Sequence, residues 1–372
     1  MILKNIEIRN FRNYEQLSLQ LHPQLNIIYG NNGEGKTNLL ESIYVLAFTK
    51  SHRSFIDHNL IKSGAETAVL KGTILNNITY NLEIILNKTK KTLKIDNNIE
   101  TKTGSYIEKM NIIIFYSEDL ELIKGFPGAR RKYLNLELSQ ISQNYYNTLN
   151  DYNKLLKIRN DYLKQLNQGQ HIDEGYFDIL TDYLVEKSVF LYQMRERFLT
   201  RLNKICPKIF KDIAKKDGFK LRYVPSVEFT NMEKDTIRTE LKQILNTNLD
   251  KDIKFKTTLY GPHRDDFEFY LGHKNLKYYG SQGQQRVAVL ALKLSEIELF
   301  KDYKQTSPII LLDDVFSELD NDKKNNLLSY IDNDMQVIIC VTGLKLNFSL
   351  RNHLHTQNDT CPAHSICLTN KR

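Results

Sequence analysis

Apolar and polar residues alternate with a period of two through much of the first hundred residues, as is typical of β-strands with one buried face. We predict strands at residues 3–10, 17–21 and 25–29, and shorter ones at 69–74, 79–86 and 92–95. An Asn-Asn pair and a lysine-rich cluster at 88–91 separate the shorter strands. This spacing predicts an antiparallel meander.

Three later segments, at residues 112–116, 308–314 and 336–342, are apolar without alternation. Continuous apolar runs of this length are typical of strands buried on both faces of a parallel sheet. We expect the segment that ends in Thr342 to be the last strand of that sheet.

The apolar spacing becomes helical between residues 133 and 205, with a polar break at Asn167-Gln168-Gly169-Gln170. This pattern predicts two helices joined as a hairpin. The hairpin is too short to be an extended coiled-coil arm, so we expect a compact helical lobe. After Pro207 we expect a return to strands and mixed structure, including a strand at 221–229 and a helix at 287–300.

The composition is that of an ordinary globular protein: 372 residues, of which 41% are hydrophobic, with a formal charge of +8. The charge is explained equally well by a polyanionic partner and by a solvated basic surface. No run of 18 apolar residues and no signal peptide is present, so we expect a cytoplasmic protein without a membrane partner. The Cys and His residues near the C-terminus match no common zinc pattern.

A glycine-rich turn lies between the strand at 25–29 and an apolar helix, and its sequence is Gly30, Asn31, Asn32, Gly33, Glu34, Gly35, Lys36, Thr37. This is the P-loop pattern, in which backbone N–H groups and a helix N-terminus surround the phosphates of a nucleotide. Lys36 is predicted to contact the β- and γ-phosphates and to act in catalysis, and Thr37 to bind Mg²⁺. We therefore predict ATP and Mg²⁺ as cofactors.

A second motif, which is acidic, supports the prediction of a nucleotide site. The apolar strand at 308–312 runs into Asp313 and Asp314, which is the Walker B pattern. Asp313 is predicted to bind Mg²⁺, and Asp314 to act in catalysis by orienting or deprotonating the attacking water.

Several other residues have two open interpretations. Arg12 either contacts the nucleotide or is a surface arginine. Arg53 and the basic group at Arg130, Arg131 and Lys132 either bind DNA phosphates or are solvated. The turn at 281–284, Ser-Gln-Gly-Gln, either contacts a phosphate or only caps the helix that follows it.

Taken together, these motifs resemble the ABC-type ATPases of the SMC group, and within that group the RecF family. The RecF-like motifs include Ser117-Glu118-Asp119-Leu120, Arg159-Asn160, Gly261-Pro262-His263-Arg264-Asp265-Asp266 and Gly283-Gln284-Gln285-Arg286, and they span nearly the whole chain.

The resemblance implies an ATP-dependent homodimer, in which Ser281, Gly283, Gln284 and Asp320 contact the nucleotide bound by the opposite subunit. It implies binding to single-stranded, duplex and gapped DNA and work with RecR and RecO in loading RecA. Thr342 stands where many relatives have the switch histidine. Asp314 stands where glutamate is usual, and its shorter side chain is compatible with slow hydrolysis. The expected enzyme is a slow, DNA-stimulated ATPase. Residues 116–118 replace the glutamine loop of relatives, so no ligand is assigned to them.

The expected fold class is α/β, an ABC-type P-loop ATPase head with an antiparallel β subdomain and an inserted α-helical lobe. The head is expected at 1–120 and 207–372, and the lobe at 121–206. We expect a nucleoid-associated protein whose ATP-driven dimer clamps DNA and is reset by hydrolysis. A DNA-binding scaffold with a non-hydrolysing nucleotide site and a transporter-type ABC subunit are the alternatives.

Overall fold

The computed structural model describes residues 1–54, 56–314, 326–327, 329–331, 335–342 and 364–367. Within these residues the strands are β1 (Ile2–Phe11), β2 (Tyr14–Gln20), β3 (Leu25–Gly30), β4 (Thr67–Asn76), β5 (Ile78–Asn87), β6 (Lys91–Ile95), β7 (Asn98–Glu100), β8 (Ile112–Phe115), β9 (Phe219–Val224), β10 (Asp266–Leu271), β11 (Lys274–Asn275), β12 (Ile309–Asp313), β13 (Val337–Thr342) and β14 (His364–Cys367).

The helices are α1 (Lys36–Phe48), α2 (Thr103–Ile107), α3 (Glu121–Lys124), α4 (Pro127–Ile141), α5 (Gln143–Asn167), α6 (Glu174–Ala214), α7 (Lys234–Thr247), α8 (Leu249–Phe255), α9 (Leu276–Tyr279) and α10 (Gln282–Lys304). The chain forms two compact units, one of residues 1–119 and 296–372 and the other of residues 120–295.

The first unit contains a parallel sheet in the order β14-β3-β13-β12-β8. Its central strands β12 and β13 are buried along almost their whole length, which explains their continuous apolar sequences. Thr342 lies opposite Gly30 in the β13–β3 register, and Asp313 lies opposite Cys340. The parallel arrangement therefore brings the end of the P-loop strand and the Walker B acid to the same edge.

The prediction that β13 is the last strand of this sheet is wrong. Strand β14 follows it in the chain and pairs in parallel with the other side of β3. The segment is short and contains one clearly apolar residue, Ile366, so its sequence carries little of the signal of a buried strand.

The first unit also contains an antiparallel sheet in the order β2-β1-β4-β5-β6-β7. Side chains of β1 alternate as predicted, and Leu3, Ile6, Ile8 and Phe11 are fully buried. The meander predicted for residues 69–95 is confirmed by β4, β5 and β6.

The second unit is mainly helical and also contains the small antiparallel sheet β11-β10-β9. The predicted hairpin is formed by α5 and α6, which are separated by the turn that contains Gly169. The helix expected to end near 205 instead continues through Pro207 to Ala214. Cys206, Ile209, Phe210 and Ile213 are buried on this last part, and their packing outweighs the hydrogen bond that proline cannot donate.

The second unit extends to Ser295, so it also includes residues 207–295, which the sequence places with the ATPase head. The functional domain division at 120 and 207 stays a prediction. The long helix α10 is divided between the two units. Its residues up to Ser295 belong to the second unit, and those from Glu296 belong to the first.

Gly72 of β4 gives a test of the packing in the first unit. A Cβ atom at this position would lie 2.6 Å from Leu46 Cδ2 and 2.9 Å from Leu3 Cδ1. We expect Gly72→Val to destabilise the protein by about 2–3 kcal/mol, since the added atoms overpack a fully buried site. The midpoint of urea unfolding, followed by circular dichroism, measures this.

The matched control is Thr79→Val, which introduces the same residue at an exposed position of the neighbouring strand β5. It should change the midpoint little. Equal midpoints for wild type and Gly72→Val would contradict the close approach of α1 and β1 to this glycine.

Candidate nucleotide-binding site

The glycine-rich turn joins the end of β3 to the start of α1, and two of its glycines have a left-handed backbone. Gly33 has φ 84° and Gly35 has φ 100°. A Cβ atom on Gly35 would lie 2.8 Å from both Asn13 Nδ2 and Tyr14 Oη. Tyr14 also donates a hydrogen bond of 3.0 Å to the Gly35 carbonyl. The tight turn before the helix therefore requires glycine at position 35.

Polar side chains of the loop are held by the loop itself. Lys36 Nζ donates to the carbonyl oxygens of Gly30 at 2.8 Å and Asn31 at 2.7 Å. The Glu34 carboxylate accepts hydrogen bonds from the Asn31 backbone N–H and side-chain amide. The lysine charge is thus fixed beside the turn that would surround a phosphate.

The Walker B acid lies directly beside the P-loop helix. Thr37 Oγ1 donates to Asp313 Oδ1 over 3.2 Å, although the two residues are 276 positions apart in the chain. Burial raises the pKa of Asp313 to about 6, with Asp314 and Glu118 adding further negative charge. A hydroxyl and a carboxylate are hard oxygen ligands, and a cation would relieve this unfavourable burial of negative charge. The residues therefore fit Mg²⁺.

Two further residues lie near this position, one directly after β12 and one at the end of the neighbouring strand β13. Asp314 is exposed, has φ 52°, and donates its backbone N–H to Cys340 O at 3.3 Å. Thr342, at the end of β13, donates to Asn32 Oδ1 of the P-loop over 3.4 Å. The structure thus brings Lys36, Thr37, Asp313 and Thr342 to one edge of the parallel sheet, with Asp314 directly after β12.

Arg12, predicted near the nucleotide, and Arg53, predicted to contact DNA, share one buried carboxylate, that of Glu41 on α1. Arg12 forms a bidentate pair with it, at 2.9 Å from Nε and 2.7 Å from Nη2, and Arg53 Nη1 lies 3.6 Å away. The Glu41 side chain is fully buried and also accepts a hydrogen bond from Ser51. Glu41 was not predicted as a functional residue, although a single acid among the apolar residues of one helix is a usable signal.

An open polar cleft of about 720 Å³ lies beside these arginines, lined by Arg12, Asn13, Asn38, Arg53, Ser54, Asn59, Ile61 and Ser63. Asn38 directly follows the P-loop threonine and accepts a hydrogen bond from Arg53. One residue that lines the cleft, Asn38, is therefore adjacent in sequence to the phosphate-binding turn.

The turn at 281–284 lies in the second unit and forms a capping box at the start of α10. Ser281 Oγ accepts a hydrogen bond from the Gln284 backbone N–H at 3.2 Å, and Gln284 Oε1 accepts one from the Ser281 N–H at 2.9 Å. Gly283 is exposed, with open space around a Cβ position. Asp320, predicted to act with this turn, lies outside the described residues.

The three basic residues predicted to bind DNA in the second unit have different environments. Arg130 is buried and paired with Asp266, at 2.6 Å and 2.8 Å, and it also donates to two backbone carbonyls. This placement contradicts a DNA contact for Arg130, because its donors are used inside the fold. Arg131 is half-buried and Lys132 is exposed.

The part of the chain that the structure describes contains neither a cluster of metal-binding side chains nor a membrane-spanning helix. No group of three or more His, Cys, Asp or Glu side chains is placed to hold a metal ion. No helix there is long and apolar enough to cross a membrane.

A P-loop and a Walker B acid at one edge of a parallel sheet, beside an antiparallel sheet, define an ABC-type P-loop ATPase head. The chain belongs to the RecF/RecN/SMC N terminal domain family, whose model matches residues 2–350, and within it to the RecF proteins. It is 38% identical to the DNA replication and repair protein RecF of Staphylococcus haemolyticus (strain JCSC1435), over 92% of this chain and 94% of that protein. It is also 38% identical to the RecF protein of Ligilactobacillus salivarius (strain UCC118), over 92% of each chain.

Solved structures agree with this assignment. A recombination mediator protein RecF with ATP, of the RecFOR pathway, matches with a TM-score of 0.88 and 33% identity over 92% of each chain. An SMC head bound to the C-winged helix domain of ScpA matches with a TM-score of 0.52 and 14% identity, over 92% of this chain and 90% of that one. The latter likeness concerns the fold alone.

Glu41→Gln tests the pairing of the two arginines. We expect the substitution to destabilise the protein by about 2 kcal/mol at pH 7, because an uncharged amide leaves the guanidinium of Arg12 without its carboxylate. The pKa of Glu41 is lowered in the fold, where the hydrogen bonds from Arg12 and Ser51 outweigh burial, which by itself would raise it. Its stabilising effect is therefore present above the unfolded value of 4.5 and is lost as the pH falls through the lower folded pKa.

Urea unfolding at pH 7 and at successively lower pH measures this difference, which should shrink in acid. Glu15→Gln is the control, since Glu15 is 83% exposed in its pair with Lys62 and should contribute little. A stability difference for Glu41→Gln that stays constant down to acid pH would contradict the assignment.

Proposed function

We propose that this protein is an ATP-controlled DNA-binding protein of recombinational repair and replication-fork maintenance. The observation that carries the proposal is the contact between Thr37 and Asp313, which joins the P-loop to the Walker B acid. The RecF relatives, named as DNA replication and repair proteins, support the process, and the ATP-bound RecF structure supports the nucleotide.

The P-loop residues have distinct proposed roles. The backbone from Gly30 to Thr37 and the Lys36 ammonium would bind the phosphates of ATP, while Thr37 and Asp313 would bind Mg²⁺. Asp314 would orient the attacking water or accept its proton. We also propose that Arg12, one of the residues that line the polar cleft, contacts the nucleotide.

Dimerisation is proposed from the family resemblance, which assigns the turn at 281–284 to the nucleotide bound by another copy of the chain. The exposed turn of Ser281, Gly283 and Gln284 would contact the γ-phosphate bound by a second copy, together with Asp320. The capping box supports this role, since the turn is already ordered before a partner arrives and pays less entropy on binding.

The proposed partners follow from charge and from the family. The formal charge of +8 favours DNA, whether single-stranded, duplex or gapped, and Arg53, Arg131 and Lys132 are the proposed contacts. RecR and RecO are the proposed protein partners in loading RecA, supported by the RecFOR description of the similar structures. We place this function in the cytoplasm, at the nucleoid, with slow DNA-stimulated hydrolysis that resets the clamp.

Dimerisation is tested by the particle mass in solution. With saturating Mg·ATP the mass should double from 43.6 kDa, as measured by sedimentation equilibrium. Lys36→Ala should remain monomeric because it cannot bind ATP. Ser281→Arg should bind ATP normally and also remain monomeric, since only the turn is blocked. A wild-type protein that binds ATP and stays at the monomer mass would contradict the two-copy site.

The role of Asp314 is tested by turnover. Asp314→Asn should bind ATP with wild-type affinity and release phosphate at least about 100-fold more slowly, because the base is removed and the loop shape is kept. Asp302→Asn, at an exposed position near the end of α10, should turn over normally. Normal turnover by Asp314→Asn would remove this residue from catalysis.

The rival scaffold function differs in how DNA binding depends on ATP. A clamp should bind gapped and duplex DNA more tightly with Mg·ATP than without it. DNA binding of equal strength in both conditions, measured by fluorescence anisotropy, would favour the scaffold.

A further inference from the structure

Two arginines of the second unit, Arg131 on α4 and Arg264 in the loop before β10, are held close together. Arg131 Nη1 donates 2.9 Å to the main-chain carbonyl of Asp265, the residue after Arg264. Arg264 is exposed, and its Nη2 makes a long contact of 3.5 Å with the Thr258 carbonyl. The charge of Arg264 also acts on Arg131, so the two positive charges lie in one region of the second unit.

Nearby carboxylates are already used by other arginines. Asp265 is fully buried and pairs with Arg195 at 2.7 Å, while Asp266 pairs with Arg130 at 2.6 Å. Among the residues that the structure describes, neither Arg131 nor Arg264 forms an ion pair with a carboxylate. Arg130, Arg131, Arg195 and Arg264 thus lie near two carboxylates, so positive charge exceeds negative charge among these six groups.

The loop that carries Arg264 is rigidly anchored on both sides. His263 accepts a 2.6 Å hydrogen bond from the Tyr152 hydroxyl at Nδ1 and donates from Nε2 to the Thr258 carbonyl at 2.9 Å. Burial lowers the pKa of His263 to about 4, so the ring is neutral at pH 7. Gly261 has φ 142°, and a Cβ atom there would lie 2.6 Å from the Tyr152 hydroxyl.

Asp265 anchors the other end of the loop. Besides Arg195, it accepts hydrogen bonds from the Tyr223 hydroxyl and from the Ser226 backbone N–H. Since the residues on both sides of Arg264 are fixed inside the fold, its backbone has little freedom to move the guanidinium away from Arg131. Like charges held in this way are unfavourable until an anion binds between them.

We propose that Arg131 and Arg264 form a preorganised binding site for a phosphate group of the DNA backbone. Two planar guanidinium groups match the oxygens of a phosphodiester, and the rigid loop removes much of the ordering cost. This inference rests on the proposed DNA-binding function and adds Arg264, which the sequence motif alone did not assign. Burial lowers the pKa of Arg131; the carboxylates of Asp266 and Asp265 act against this shift, and the nearby charges of Arg195 and Arg264 add to it.

The second possible source of the phosphate is the triphosphate bound by another copy of this chain. The surface position of Arg264 favours a DNA backbone, which needs no enclosing pocket. The experiment separates the two sources, because one set of variants is measured in a DNA-binding assay and in an ATP-dependent dimerisation assay.

Arg264→Gln, Arg131→Gln and the double variant are compared with wild type in binding a fluorescent duplex of random sequence by anisotropy. Each single substitution should weaken binding about tenfold, the loss expected for one charged hydrogen-bonded contact. The slope of log K against log salt should become shallower by about one per arginine, which a purely structural role would not produce. ATP affinity and the ATP-dependent mass should not change.

Arg197→Gln is the matched control, because Arg197 is exposed on α6 and its removal lowers the net charge equally. It should bind DNA like wild type. Arg131→Lys keeps the charge and should retain the salt slope even if the fork geometry is lost.

Wild-type DNA affinity and salt slope in the double variant would overturn the inference and leave the proposed function intact. Loss of ATP-dependent dimerisation with unchanged DNA binding would overturn it in favour of the second copy's nucleotide. If wild type itself fails to bind DNA, the proposed function fails and the inference fails with it.

Discussion

The hydrogen bond between Thr37 and Asp313 depends on the order of strands in the parallel sheet. β3 and β12 lie on the two sides of β13, so the P-loop helix and the Walker B acid meet although most of the chain separates them. Most residues of these three strands are buried, as expected for strands of a parallel sheet. The burial that makes the strands stable also removes water from around Asp313 and raises its pKa. Burial of the sheet therefore stabilises the strands and also favours binding of a cation by Asp313.

Buried charge follows one rule in both units, since an ionised group inside the fold is stable only with a close partner. Glu41 has Arg12, Arg159 has Asp252 at 2.8 Å, and Arg195 has Asp265. Because each of these buried carboxylates already has a partner, it balances less of the charge of another arginine nearby. Around Arg131 and Arg264 the nearby carboxylates of Asp265 and Asp266 pair with Arg195 and Arg130, so the proposed phosphate site has an excess of positive charge.

Local sequence was sufficient for the P-loop, the antiparallel meander, the helical hairpin and the strand that ends at Asp313, because each has its own periodicity or turn residues. It failed where distant contacts decide the outcome. Pro207 predicted a helix end, but packing of Phe210 and its neighbours continues the helix. Arg130 was predicted to lie at the surface in a basic group. Only the fold brings Asp266, which is 136 residues later in the chain, to its guanidinium. Glu41 could be found in sequence, but its two arginine partners could not.

The turn at Ser281 combines two interpretations that the sequence left as alternatives. Its side chains cap α10 reciprocally, so the local structure is satisfied without any ligand. Capping does not use the backbone of Gly283, which is exposed with space around it. A helix N-terminus that is already capped and ordered presents its dipole and free N–H groups to an anion with no further folding. The cap is therefore compatible with phosphate recognition, because it fixes the geometry on which recognition by a second copy would depend.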